Sequence, residues 1–202
     1  MGRCLRSTTT EFDTAFLRGL KPRDPQRVVA KKTVVPVIVL ETPRLVLRRL
    51  NLDDAAFMLG LLNEPSFLAN IGDKGVRTLE DARQFLLTGP MASYEKNGFG
   101  HYMVELKDSR APIGTCGLIN REFIGEVDVG YAYLPEFWSK GYAYEAAAAV
   151  MEYGRATLGL SRIVAVVSPH NASSIRVLEK LGLKYSGPTQ LAADGEVIHL
   201  FA

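Results

Sequence analysis

Two junctions between a strand and a helix hold the residues best suited to ligand chemistry. The first spans residues 134–143, LPEFWSKGYA. The first turn of a helix has backbone N–H groups without internal acceptors and carries partial positive charge. Ser139 and Gly141 let a ligand approach that backbone, and Lys140 adds a cation. The pattern indicates a phosphate or pyrophosphate site, although a plain connection with a strain-relieving glycine explains the same residues.

The second junction spans residues 167–174, VSPHNASS, where Asn171 precedes another helix. Adjacent strands that each lead into a helix open a cleft at their carboxyl ends, where α/β proteins commonly bind ligands. Taken singly, Asn171 is explained as an N-cap and Ser174 as a hydroxyl on the helix surface. Together with the first junction, they predict one shared cleft.

Hydrophobic periodicity and turn residues predict a mixed α/β chain with the order βααβββαβαββ. The predicted strands cover residues 45–50, 101–107, 113–121, 127–134, 162–167, 183–189 and 196–201. The predicted helices cover residues 53–63, 78–96, 142–158 and 171–181. The first helix should bury the stripe formed by Leu52, Ala56, Leu59 and Leu62, and Pro65 should end it. The last two strands should flank a turn at residues 193–195.

Composition narrows the class of protein. The chain has 202 residues, 47% of them hydrophobic, and a net charge of +2, which predicts a globular protein and gives no reason to expect nucleic-acid binding. The longest aliphatic run, residues 34–40, is too short to cross a membrane. Two cysteines cannot form a disulfide framework, so a cytoplasmic location is expected. His101, His199 and Cys116 lack metal-ligand spacing, so no metal is expected.

Charge divides the chain into two unequal parts. Residues 1–40 hold eight basic and three acidic side chains, a net charge of +5, whereas the remainder carries −3. Thr, Arg and Pro crowd the first part without helical periodicity. We therefore expect a basic, flexible extension over residues 1–40 and a single domain over residues 41–202.

Several segments, in this order and spacing, resemble the GNAT acyl-CoA N-acyltransferase superfamily, and most closely its ribosomal-protein N-terminal acetyltransferase branch. The segments are ETPRLVLR at 41–48, Gly130-Tyr131, WSKGYAYEA at 138–146, NASSIR at 171–176 and EKLG at 179–182. The resemblance implies a mixed, mostly antiparallel sheet of about six or seven strands, flanked by about four helices and split in a V between its central strands.

The resemblance also implies acetyl-CoA as co-substrate. The family's pyrophosphate loop matches Trp138, Gly141 and Ala143, with Trp138 departing from the usual Arg or Gln. The pantetheine arm is expected to pair with backbone near Tyr133 and Leu134, and Asn171 to contact it. The residues expected to bind the co-substrate are Tyr133, Leu134, Trp138, Ser139, Lys140, Gly141, Tyr142, Ala143, Asn171 and Ser174.

The family's chemistry is direct attack of an amine on the thioester. Asp128, where relatives often carry Glu, is the first candidate for the base and Glu126 the second; period two places both on one face of their strand. A solvated strand carboxylate is the plain alternative for Asp128. Leu178 replaces the tyrosine that many members use as general acid, which leaves Ser174 to stabilise the thiolate.

Two functions fit these residues. The preferred one is an N-acetyltransferase acting on a small-molecule amine or a peptide N-terminus, with a homodimer expected by analogy alone. The alternative is a GNAT-like sensor or interaction module that binds acyl-CoA without chemistry, which Leu178 favours. Asp73 and Asp194, in loops near the expected acceptor site, are candidates for attracting a cationic amine.

Overall fold

The computed structural model describes residues 36–191 and 195–202, which form two antiparallel sheets joined at one point. The first sheet has the order β1-β2-β3-β4-β5 and the second the order β6-β8-β7. The strands are β1 Ile38–Glu41, β2 Leu45–Arg49, β3 His101–Leu106, β4 Pro112–Arg121, β5 Glu126–Tyr133, β6 Ala165–Val167, β7 Tyr185–Thr189 and β8 Ile198–Phe201. The helices are α1 Ala55–Leu62, α2 Pro65–Asn70, α3 Leu79–Leu86, α4 Ala92–Asn97, α5 Tyr142–Ala156 and α6 Ala172–Lys180.

The sheets meet through a short parallel contact between β5 and the residues that precede β6. Asp128 and Val164 form an isolated parallel bridge, flanked by bonds from Val129 N to Val164 O and from Val164 N to Val127 O, both 2.9 Å. Beyond it, β6 pairs with β8 instead of β5. The carboxyl-terminal half of β5 therefore keeps a free edge, and the predicted V-shaped split is present.

Two hydrophobic clusters cover the two faces of the first sheet. One joins β3, β4 and β5 to α5 and includes Val104, Leu118 and Val150. The other joins the opposite face to α1 and α3 and includes Met103 and Leu86. Because side chains alternate along a strand, successive residues of β3 serve different clusters, and each face of β5 meets a different set of helices.

A buried ion-pair network fixes the α1 side of the sheet. Arg48 on β2 donates to both carboxylate oxygens of Asp54, at 2.8 and 2.7 Å, and to Glu105 on β3 at 2.5 Å. Asp54 also accepts from the backbone of Asn51 and so caps the entry into α1. Removing one partner would leave the other buried charges uncompensated, which makes the network an all-or-none structural unit.

The structure corrects several expectations from the sequence. Strand β1 begins at Ile38, so ordered structure starts before the predicted position 41. A 3-10 turn at Leu52–Asp54 precedes α1 and rotates it, so the buried residues are Ala55, Met58, Leu61 and Leu62; the predicted stripe is wrong except at Leu62. Pro65 follows the end of α1 and also opens α2 as its first residue.

Other local predictions are confirmed or lie outside the described residues. Thr78 caps α3 with a reciprocal bond to Asp81, and Asn171 caps α6 by accepting from Ser174 N. The predicted helix 78–96 contains a π-helical turn at Leu87–Met91, which joins α3 to α4. Residues 193 and 194 of the predicted last turn, like most of the segment 1–40, fall outside the described parts of the chain.

Candidate active site

A cleft of about 1030 Å³ lies at the split between β5 and β6. Its walls come from β4, β5, the amino-terminal turns of α5 and α6, and residues of the α1–α4 side. Every predicted site residue except Leu134, Lys140 and Glu126 lines it. The two strand-to-helix junctions that the sequence singles out therefore open into one shared cleft.

The loop before α5 presents unpaired backbone N–H groups to the cleft. Ser139 and Gly141 both take positive φ angles, 59° and 81°, which turn the chain sharply into the helix. The first bond within the helix runs from Glu145 N to Gly141 O, so the N–H groups of Tyr142, Ala143 and Tyr144 have no helical acceptor. This geometry suits a pyrophosphate, as the sequence predicts.

Arg44, at the start of β2, holds that loop in place from behind. Its Nη1 donates to the Lys140 carbonyl at 2.9 Å, and its Nε donates to Glu145 on α5 at 2.6 Å. The Thr42 hydroxyl donates to the same Glu145 carboxylate at 2.6 Å, and the Arg44 guanidinium lies over the Tyr142 ring. The segment around 42–44, which sequence reasoning only recognised as typical of the family, is therefore a brace for the loop.

The free edge of β5 supplies further donors. Val127 and Val129 bond toward β6, so period two directs the N–H groups of Tyr131 and Tyr133 into the split as well. Leu134 differs, because its N–H donates to Ile113 and its carbonyl accepts from Phe137. Of the two positions predicted to pair with pantetheine, only the Tyr133 backbone faces the split.

Trp138 reaches back to the same edge. Its indole Nε1 donates to the Tyr133 carbonyl at 2.8 Å, and its ring lines the cleft while remaining 46% exposed. The tryptophan thus ties the loop to β5. That tie explains how an aromatic residue serves at a position where most of the family has Arg or Gln.

A pair of hydroxyl groups lies across the split. The Tyr131 Oη lies 2.9 Å from the Ser174 Oγ, and Ser174 N is held by the Asn171 side chain. Burial raises the pKa of Tyr131, the largest effect on it. Sequence reasoning missed Tyr131 because it looked for a tyrosine seven positions after Asn171, where Leu178 stands. The period-two pattern of β5 held the signal, since it places Tyr131 on the face opposite Asp128.

Asp128 lies at the base of the split and is only 1% exposed. Its Oδ2 accepts from Arg121 Nε at 2.8 Å and lies 2.7 Å from Arg121 Nη2. Its Oδ1 accepts from Val166 N at 3.2 Å, which ties β5 to β6. Burial raises the pKa of Asp128, while Arg121 acts in the opposite direction. A carboxylate with a raised pKa is better matched to accepting a proton near neutral pH.

Glu126, the second candidate base, lies outside the cleft. It begins β5, half-buried, and pairs with Arg162 at 3.1 Å. Glu126 and Asp128 share a face of the strand as predicted, yet only Asp128 lines the cleft. The two carboxylates therefore occupy different environments.

His101 forms part of the floor beside Asp128. It aligns across the sheet with Gly117 and Gly130, and its Nε2 would lie 3.0 Å from a Cβ added at Gly130, so the ring lies over Gly130. Among the described residues, Nε2 has no hydrogen-bond partner. Burial, with a smaller contribution from Arg121, lowers the pKa of His101 to about 4. The imidazole is therefore neutral at physiological pH.

Comparison with known proteins identifies the class. Residues 44–184, more than half of the chain, match the model of the acetyltransferase (GNAT) domain, and the chain belongs to that family. An uncharacterized N-acetyltransferase of Bacillus subtilis (strain 168), YoaA, is 33% identical over 150 residues, which cover 74% of this chain and 84% of that protein. The chain is thus an acetyltransferase of the GNAT family, as the resemblance implied.

Solved structures share the same fold. An acetyltransferase from Agrobacterium tumefaciens str. C58 superposes with a TM-score of 0.69 at 24% identity, over 84% of this chain and 95% of that one. RimL, the ribosomal L7/L12 alpha-N-protein acetyltransferase, was solved in complex with coenzyme A and superposes with a TM-score of 0.68 at 16% identity, over 81% and 96%. Within residues 36–191 and 195–202, no helix combines the length and apolar character that a membrane span requires.

Proposed function

We propose that this acetyltransferase transfers the acetyl group of acetyl-CoA to a primary amine by direct attack within a ternary complex. The observation that carries the proposal is that one cleft joins three features. It has an unpaired helix N-terminus, a free strand edge and a buried carboxylate opposite a hydroxyl pair. CoA-like ligands need the first two features, and acyl transfer to nitrogen needs the third.

The co-substrate would lie along the split. The pyrophosphate would accept from the N–H groups of residues 142–144, and the pantetheine arm would run beside β5 as an added strand. The thioester carbonyl would then point at the N–H of Tyr131 or Tyr133. Either donor would stabilise the oxyanion that forms when the carbonyl carbon becomes tetrahedral.

Proton transfer would use opposite sides of the split. The amine must be neutral to attack, and it loses a second proton as the C–N bond forms; Asp128 would accept that proton, directly or through water. As the C–S bond breaks, the thiolate would accept a hydrogen bond or proton from Ser174. The Tyr131 Oη, 2.9 Å from the Ser174 Oγ, would orient that hydroxyl toward the sulfur by hydrogen bonding.

The acceptor would be a small-molecule amine or a peptide N-terminus. RimL, which shares this fold, is a ribosomal L7/L12 alpha-N-protein acetyltransferase, so a peptide N-terminus is one candidate acceptor. The shared fold does not favour a peptide over a small-molecule amine. The wide cleft on the α1–α4 side leaves space for either class. A second copy of the chain is not needed for any of these contacts.

Free-thiol release from acetyl-CoA, measured with a panel of N-terminal peptides, amino acids and polyamines, tests the proposal. We expect amine-dependent release well above hydrolysis. Ser174→Ala and Tyr131→Phe should each lower kcat about ten-fold, with Ser186→Ala, an exposed serine outside the cleft, as control. Stabilisation of the fold by CoA without release for any amine would instead identify an acyl-CoA-binding module.

The base is tested by paired carboxylate variants. Asp128→Asn should lower kcat about 100-fold and remove the low-pH limb of the pH–rate profile, because the amide cannot accept the amine proton. Glu126→Gln should leave that limb in place. Unfolding curves for both variants are needed first, since the neutral amide introduced by Asp128→Asn leaves the Arg121 charge without its partner. A retained limb in Asp128→Asn would reject Asp128 as the base.

A further inference from the structure

The walls of the cleft carry an unbalanced charge. Among the described residues that line it, Asp128 is the sole carboxylate, whereas five side chains are cationic. The cations are Lys74, Lys96, Arg121, Arg176 and Lys180. A binding site for a dicationic or polycationic amine would be expected to show the opposite balance.

The cations fall into two groups by position. Arg176 and Lys180 lie on α6, beside the co-substrate side of the split. Arg121 pairs across the sheet with Glu126, the first residue of β5, whereas the phosphate-binding loop follows the last. The eight-residue strand separates those ends by roughly 24 Å at about 3.4 Å per residue, so Arg121 is too distant to serve the pyrophosphate.

The carboxylates near the Arg121 end of the cleft already form ion pairs within the protein. Asp128 is paired with Arg121 itself, and Lys96 pairs at 2.6 Å with Glu122, which does not line the cleft. Asp73, expected to attract a cationic amine, pairs with Arg77 and also lies outside the lining. Asp194, the other such residue, lies outside the described parts of the chain.

Of the three cations that lie away from α6, Lys74 is the one without a charged partner among the described residues. Within the described residues, neither an ion pair nor a hydrogen bond engages its ammonium group. Partial desolvation at the cleft wall lowers the pKa of Lys74, and the nearby Arg121 charge lowers it further. Two neighbouring cations at one wall repel each other, and a bound anion would relieve that repulsion.

Two neighbouring side chains also have nitrogen atoms without partners among the described residues. Arg121 uses Nε and Nη2 on Asp128, while its Nη1 has no acceptor among the described residues, and its side chain is 28% exposed. The Nε2 of His101, also unpartnered within that part of the chain, lies on the same face of the sheet, one row from Asp128 and two rows from Arg121. A planar guanidinium with free N–H groups is suited to a carboxylate.

We propose that the acceptor is a primary amine that also carries a carboxylate, bound by Lys74 and Arg121 at the α1–α4 end of the cleft. This inference rests on the proposed function and adds the substrate class. Asp128, adjacent to the carboxylate site, would then face the amine of the same molecule. Free amino acids and peptides with an acidic second residue both have this chemistry.

Matched acceptor pairs test the charge requirement. Free amino acids are compared with their carboxamides, and serine-led peptides with Glu at the second position are compared with the same peptides carrying Gln. In one of the two series, we expect kcat/KM for the acceptor with the carboxylate to be at least about ten-fold higher than for its uncharged partner. That series shows whether the recognised carboxylate belongs to a free amino acid or to an acidic second residue. Equal or better use of the uncharged partners in both series would overturn the proposal and leave acetyl transfer intact.

A lysine variant localises the effect. Lys74→Met should remove about ten-fold of the carboxylate preference while leaving kcat/KM for the uncharged partners and KM for acetyl-CoA unchanged. Lys184→Met, an exposed lysine outside the cleft, is the control. An unaltered preference in Lys74→Met would reject the site.

A binding measurement separates this inference from the proposed function. With CoA bound, N-acetyl amino acids and N-acetyl Glu peptides should raise the melting temperature more than their uncharged counterparts, and Lys74→Met should abolish the difference. This readout needs no turnover. If no thiol is released but the carboxylate ligands still stabilise the fold selectively, the proposed acetyl transfer is rejected and the carboxylate site is supported. If thiol is released without selective stabilisation, the carboxylate site is rejected and the proposed acetyl transfer stands.

Discussion

The two ends of the cleft bind by different means. At the α5 end, the donors are backbone N–H groups fixed by the chain path, and one brace from Arg44 and Glu145 holds them. At the α1–α4 end, the chemical groups belong to side chains from separate segments: Lys74 from a loop, His101 from β3, Arg121 from β4 and Asp128 from β5. In the proposed function, the first end would bind the constant pyrophosphate of the co-substrate, whereas the second end could change its ligand through single substitutions.

This difference matches what each end has to do. Every acyl-CoA carries the same pyrophosphate, so a pyrophosphate site at the α5 end would not need to vary with the acceptor. Acceptors differ, and side chains on a fixed sheet can alter charge and shape without moving the strands. The comparison predicts that substitutions at the α5 end change kinetic constants for acetyl-CoA and leave those for the acceptor unchanged. At the other end, kinetic constants for the acceptor and the pH dependence of stability should change.

The strongest disruption of the α5 end should come from Gly141→Val. A β-branched residue at φ 81° is strained, and its Cβ would lie 3.4 Å from Arg44 Nη2. The loop must therefore shift, and kcat/KM for acetyl-CoA should fall about 100-fold, since at least two N–H bonds to phosphate would be misplaced. Steady-state kinetics with acetyl-CoA varied would measure it.

Gly159→Val provides the matched control for that prediction. Gly159 also has a positive φ, 69°, but a side chain there meets nothing within 4 Å, at the other end of α5. It should lower the melting temperature to a similar extent and leave KM for acetyl-CoA unchanged. Equal losses of kcat/KM in both variants would show that backbone strain, and not the position of Gly141 in the loop, explains the effect of Gly141→Val.

The α1–α4 end should respond to pH through His101. The pKa of about 4 in the folded protein lies below the ordinary 6.5, so between these values the unfolded chain binds a proton that the folded chain does not. Stability should therefore fall as pH decreases from about 6.5 toward 4. Because the His101 ring is partly accessible, we expect the free energy of unfolding to fall by about 1 to 2 kcal/mol by about pH 5.

His101→Phe should flatten that dependence, because the ring volume is kept and the titrating group is removed. Urea unfolding at about pH 7 and about pH 5 measures it, with His199→Phe as the matched histidine replacement outside the cleft. If the wild type and His101→Phe lose the same stability between the two pH values, His101 is not the source.

A smaller and more selective effect is expected at the brace. Arg44→Gln removes the bond to the Lys140 carbonyl and the ion pair with Glu145, while the loop keeps its own φ angles. Because Arg44 is half exposed, we expect KM for acetyl-CoA to rise only about five-fold, with acceptor KM unchanged. Arg155→Gln, exposed on α5, is the control, and a change in acceptor KM would contradict the separation of the two ends.

The contrast between the ends also explains how far the sequence could predict the molecule. Gly141, Ser139 and the N-cap Asn171 act locally, so their spacing alone indicated the loop and the cleft. Lys74, His101 and Arg121 come together only through strand register and the position of the α2–α3 loop. Short-range patterns carry none of that information, which is why Asp73 was given a role. Tyr131 was passed over for a different reason, because the search followed the spacing from Asn171 and not the period-two pattern of β5.

Two features that the sequence pattern does not show account for the wrong predictions of α1 and β1. The stripe of α1 was misplaced because a 3-10 turn has three residues per turn, and a cap at Asn51 starts it early. Strand β1 was missed because Pro36 and a basic flank mask a short apolar run that only pairing with β2 stabilises. Local capping decided the first case, and strand pairing decided the second.

The free edge of β5 has one more consequence, for solubility. An unpaired strand edge normally invites pairing with another chain and leads to aggregation. Here that edge lies inside a cleft walled by β6 and the first turns of α5 and α6. A strand of another copy would have to enter the cleft to pair with it, so the edge stays open to a ligand while it is recessed from the outer surface.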